Sequence, residues 1–217
     1  MNPIYKTVET LDWITITLFL SLVFLAFGKY LFQNKFLSFI ILPFNNRYIV
    51  MHNKKGRLLN WFHMLMTLFQ LINFSIFIFL LYKTFFTLQE NNFHTFFIIM
   101  GVLILFQLSK MLLQFAKGFV FDTQGLISEL LFNKTTYLNH SSLVMFVCNV
   151  LLVYVTKDSK MIISIALTLI LSINFIGLAR LLKNYQNVIL ANFFYFILYL
   201  CTLEIAPLVI VGSYLKD

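Results

Sequence analysis

Charge is scarce in this chain of 217 residues: 11% of the residues are Asp, Glu, Lys or Arg, and the acidic ones number 8. A soluble globular domain carries roughly a quarter charged residues, so there is too little polar surface here to cover a water-facing fold. Proline (3), glycine (7) and cysteine (2) are also few. That excludes a collagen-like or low-complexity chain and a disulfide framework. Cys148 and Cys201 both fall within apolar runs, without CxxC spacing, and read as small buried hydrophobes that leave the redox compartment open. Catalytic signatures are missing as well. There is no HExxH, no Walker-type glycine loop, no GxSxG and no paired carboxylates at catalytic spacing, and His52, His63, His94 and His140 form no metal signature. Glu129 with His140 is the nearest thing to an acid–base pair.

What the chain has in abundance is apolar length. Hydrophobic residues make up 60% of it, 27 of them Phe, and the mean hydropathy is +0.88. Nearly uncharged runs long enough to cross a hydrocarbon core of about 30 Å, which takes roughly 20 helical residues, recur along it. The expected fold is an all-α, polytopic transmembrane helix bundle of about six spans forming a single membrane domain, and its first partner is the lipid bilayer. The spans are expected at about 12–32, 61–86, 93–115, 138–156, 161–182 and 188–214. Ala26-Phe27-Gly28 resembles a signal-peptide cleavage site, but Glu9 and Asp12 give the preceding segment the wrong charge, so residues 12–32 are expected to remain as a helix.

Two mixed segments, 34–60 and 117–139, are expected to lie at the interface. In the first, Pro43 and Asn45-Asn46 break an apolar patch too short to cross. In the second, Leu126, Ile127, Leu130 and Leu131 can form one face of a short surface helix. The side holding both segments carries 11 Lys and Arg against 5 on the other. The positive-inside rule therefore puts both segments in the cytoplasm and both termini outside it. This use of the basic residues leaves no stripe for nucleic acid.

Polar residues inside the spans are the candidate functional groups. Glu204 lies roughly 15 Å from the nearer end of the last span at 1.5 Å per residue, a depth at which a carboxyl needs a partner. Pro207, three residues on, frees a backbone carbonyl beside it. Asn73, Asn149 and Asn174 fall near mid-membrane and can surround Glu204 as a narrow polar cavity; the plain alternative is interhelical hydrogen bonding that holds a bundle together. Gln107, Lys110 and Gln114 share a helix face. Lys110 and Lys117 with Arg180 and Lys183 can form a basic pocket for an anionic lipid headgroup, the alternative being ordinary snorkelling. No metal site and no cofactor is expected.

The last span, Phe194 to Leu208 with the core Thr202-Leu203-Glu204-Ile205-Ala206-Pro207-Leu208, resembles the C-terminal signature of a Bacteroidota membrane-protein family, domain of unknown function 4271. The resemblance extends to overall length and span pattern. It implies a bacterial inner-membrane setting and gives weight to Glu204 and Pro207 as a unit; it carries no catalytic residue or ligand. Three functions stay open: a nonenzymatic subunit or assembly factor of an envelope complex, partnered by another membrane protein; a small transporter or lipid-handling protein; and an intramembrane enzyme.

Overall fold

The protein's structure is a computed structural model that describes residues 12–45, 48–49, 60–86, 93–120, 124–156 and 159–184. Its elements are helices α1 (Asp12–Leu31), α2 (Gln33–Ile40), α3 (Trp61–Phe86), α4 (Phe93–Val120), α5 (Gln124–Val150) and α6 (Lys160–Asn184); α5 continues into a π-helical turn, Leu151–Val155. Five helices are long and apolar enough to cross a membrane, over Asp12–Leu31, Trp61–Phe85, Phe93–Leu113, Ser128–Val155 and Lys160–Leu181. The chain is an all-α membrane protein. The expected sixth span, with Glu204 and Pro207, lies outside the described residues.

Two compact units divide the chain, residues 1–177 and 178–217; of the second, the described part is the last two turns of α6, with Arg180 half-buried and Lys183 exposed. In the first unit, α3 is the hub, packing against α1, α4 and α5. Gly28 of α1 faces Met66 of α3, and Trp13 meets Phe79 edge-on at 5.2 Å, so α1 and α3 run antiparallel. A Cβ at Gly28 would meet the Met66 methyl, which would have to move to make room for it. Gly177 of α6 is seated in the same way against the ring of Tyr137 of α5.

The core has two apolar clusters. One gathers Ile14, Leu18, Ile76, Phe79, Phe96, Met145 and Ile163 at the end where the connections are short. The other gathers Phe36, Phe39, Leu42, Tyr48, Phe62, Met66 and Phe132 at the opposite end. The apolar patch after residue 34 is therefore amphipathic in a specific way: Phe36 and Phe39 are buried against α3 and α5, while Leu37, Ile40, Ile41 and Phe44 face outward.

One expected boundary is corrected. Residues 124–139 are no separate surface helix, because they run without a break into the expected fourth span as α5. The polar run Asn133, Thr135, Thr136, Asn139, His140, Ser141 and Ser142 depresses hydropathy across the junction. In the structure that run faces inward and stays helical. Its hydroxyls return to the helix itself, Thr135 to the Leu131 carbonyl at 2.8 Å, Ser141 to Leu138 at 2.7 Å and Ser142 to Asn139 at 2.5 Å. A side chain that bonds its own helix's carbonyls costs little in an apolar interior.

Candidate functional site

The polar side chains of α3 and α5 form a buried seam. On α3 the residues are His63, Thr67, Gln70 and Asn73, spaced three or four apart and so aligned on one face. On α5 they are Asn133, Thr136, Asn139, His140, Ser142 and Asn149, all buried. The order of contact, His63 with Phe132, Thr67 with Asn139 and Asn73 with Asn149, makes the two helices parallel.

At its deepest level the seam is a pair of fully buried asparagines. Asn149 Nδ2 donates to the Asn73 backbone oxygen at 3.0 Å and approaches Asn73 Oδ1 at 3.5 Å, while Asn73 Nδ2 donates to its own helix at Phe69 O, 2.8 Å. One turn along α3, Gln70 Oε1 accepts from Gln107 Nε2 of α4 at 3.4 Å. Further along, the Thr67 hydroxyl spends its proton on His63 O at 2.9 Å and accepts from Asn139 Nδ2 at 3.2 Å. That chain of donation fixes the Asn139 amide, leaving its oxygen as the atom without a partner. The His140 Nε2 lies 3.1 Å from Ile40 O and must donate to it, so Nδ1 of the neutral ring is an unpartnered acceptor. Asn149 Oδ1 is a third, and His63 Nε2 and Asn133 Oδ1 also lack a protein partner among the described residues.

Aromatic rings wall this end of the seam. Phe39 sits edge-on to His140 at 5.5 Å, Tyr48 stacks on Phe132 at 6.1 Å, and His63 lies 5.2 Å from Phe132. Burial among these rings pushes the Tyr48 phenol up from its ordinary range. The seam is thus neutral and rich in acceptors. It can tie helices together and accept hydrogen bonds from a small donor. Among the described residues no three His, Cys, Asp or Glu side chains stand together as a metal group.

Of the residues singled out in the sequence, Asn73 and Asn149 meet directly. Asn174 does not join them: its Nδ2 donates to Ile170 O of its own helix at 2.8 Å. Glu204 and Pro207 lie outside the described residues. Lys110 is half-buried on α4 with its Nζ 5.9 Å from the Phe106 ring. Lys117 occupies the last turn of α4, and Arg180 and Lys183 belong to the second unit. Sequence reasoning missed the seam roles of His63, Thr67 and Asn139. Their three- and four-residue spacing was the available signal.

No curated protein and no solved structure matches the chain. A family profile does, over residues 14–215, nearly the whole length. The chain belongs to the family described as domain of unknown function (DUF4271).

Proposed function

We propose that this membrane protein is a nonenzymatic subunit or assembly factor of a larger envelope complex in a bacterial inner membrane. The observation that carries the reading is the use made of the interior polar groups. Asn149 on Asn73, Gln107 on Gln70 and Asn139 on Thr67 tie α5 and α4 to α3, which is what polar side chains do when their task is to hold helices in register. Lys29, Lys35, Lys110 and Lys134 gather toward the end that carries α2, against Lys83 and Lys160 at the other. This supports a cytoplasmic placement of that end, with both termini outside.

The test is gentle extraction from the native membrane followed by native mass spectrometry. A stoichiometric protein that copurifies is the expected result. A monomer that carries no protein partner overturns the reading.

A second reading, a small transporter or lipid-handling protein acting through Glu204 beside Pro207, is favoured by one observation. Among the described residues, Asn139 Oδ1, Asn149 Oδ1 and His140 Nδ1 meet no donor, which leaves the interior able to host a small one. Glu204→Gln should then abolish retention of a copurifying small molecule or lipid. Unchanged retention removes this role.

A further inference from the structure

Most of the polar side chains in the α3–α5 seam have spent their donors. The hydroxyls of Thr67, Thr136 and Ser142 give their protons to carbonyls of their own helices, and Nδ2 of Asn73, Asn139 and Asn149 each has an acceptor. What is left over is acceptors. Because Asn149 Nδ2 faces the Asn73 backbone oxygen, that amide cannot be turned round, and Oδ1 is the atom that points elsewhere. Asn139 Oδ1 and His140 Nδ1 are fixed in the same way, by Thr67 and by Ile40 O. None of the three atoms meets a donor among the described residues. Asn149 is 0%, Asn139 1% and His140 7% exposed, so bulk water does not reach them either. Acceptors left bare in an apolar interior are costly.

Three properties narrow what these atoms hold. The occupant must donate hydrogen bonds, which excludes an anion. It must be neutral: α3 has no acidic residue and α5 has only Glu129, well before Asn139, so a cation at this depth would lack a counter-charge. It must also be small. Asn139 and Asn149 stand ten residues apart on α5, about 15 Å at 1.5 Å per residue, so no one small molecule serves both. Water meets all three conditions, with two donors in each molecule. We propose that ordered water molecules are built into the α3–α5 seam at two stations, one donating to Asn139 Oδ1 and His140 Nδ1 and the other to Asn149 Oδ1. The rings of Phe39 and Phe132 lie beyond the first station, and Leu152 and Val153 of the apolar core lie beyond the second. The water is therefore captive, a third component of the helix contact. The stations use the same acceptors as the second reading above, but they rest on α3 and α5 alone and not on Glu204.

The test is proton-detected magic-angle-spinning NMR of the isotope-labelled full chain in lipid bilayers. Polarisation transferred from water should reach the side-chain amides of Asn139 and Asn149 and the His140 ring, and should not reach Ile76, which is fully buried in the apolar core. His140 Nδ1 should resonate as an acceptor engaged in a hydrogen bond. His140→Gln keeps a nitrogen able to donate to Ile40 O but has no atom in place of Nδ1, so the transfer at that residue should be lost. If the variant fails to fold, the Nδ1 resonance of the wild type decides by itself. Transfer to Asn139 and Asn149 no stronger than to Ile76, or an Nδ1 resonance of a bare acceptor, overturns the proposal. A shift of these signals on adding ammonium chloride shows a cation site and overturns the assignment to water. Glu204→Gln should leave every one of the signals in place. Their loss in the folded variant ties the acceptors to that carboxyl and also overturns the proposal, whereas failure of the second reading is read separately, in the retention of a lipid or small molecule.

Discussion

Helices α3 and α4 are equally apolar over their membrane-crossing stretches, yet half of that stretch is buried in α3 and only 6% in α4. The least apolar of the five, α5, is buried as deeply as α3. In water, hydropathy sorts inside from outside. In lipid both sides of a helix meet hydrocarbon, and the interior is marked by what lipid cannot satisfy: side-chain amides, hydroxyls and imidazoles, and glycines that let backbones approach. The inner helices carry His63, Gln70, Asn73, Asn139 and Asn149, whereas the outward face of α4 carries Phe97, Ile98, Val102, Leu105 and Leu112.

The most severe way to break this contrast is to place the same side chain on an inner and an outer glycine. Gly28→Leu drives four carbons into Met66 at the α1–α3 contact and should cost about 1–3 kcal/mol or more, enough to lower the thermal midpoint in detergent. Gly101→Leu on α4, where an added Cβ meets nothing within 4 Å, should stay within about 0.5 kcal/mol of wild type. Equal destabilisation by the two would show that α4 is covered and the contrast is false.

A smaller effect is expected at the asparagine pair. Asn149→Ala should cost about 1–2 kcal/mol. Because Asn149 Nδ2 is closer to the Asn73 backbone oxygen (3.0 Å) than to its side-chain oxygen (3.5 Å), a double-mutant cycle with Asn73→Ala should give a coupling smaller than the single Asn149 effect. A coupling as large as the single effect would mean that the side-chain contact dominates.

The mildest probe is chemical. Cys148 is buried and free, so a maleimide should leave it unmodified in the folded protein and modify it once the chain is unfolded in denaturant. Equal rates of modification of Cys148 in the folded and unfolded chain would put that face of α5 on the outside.

The membrane class and five crossing helices were legible because length and apolarity are summed over many residues, and no single side chain decides them. The start of α3 at Trp61 and its end at Phe86 were read directly from the run. The course of α5 before residue 138 was not, since Asn133, Lys134, Thr135 and Thr136 depress hydropathy there. It has no term for a hydroxyl returned to its own helix or an amide capping a neighbour's carbonyl. Depth put Asn73 and Asn149 at one level; that Asn149 bonds Asn73 depends on how α3 and α5 pack. That Asn174 bonds Ile170 O instead depends on its rotation about α6, which a depth estimate does not contain.

The π-helical turn at the end of α5 has a consequence for how this chain can change. Its wider ring, closed by Thr156 N–H to Leu151 O at 2.9 Å, accommodates one residue more than an α-helical turn would, and it ends beside Tyr154, whose hydroxyl donates to Thr15 of α1 at 2.7 Å. Removing one residue there would close the turn to α-helical width and shift Tyr154 relative to Thr15, without disturbing Asn149 or anything before it. The turn is a seam allowance in the sequence, the place where α5 can lengthen or shorten by one residue while its polar interior keeps its alignment.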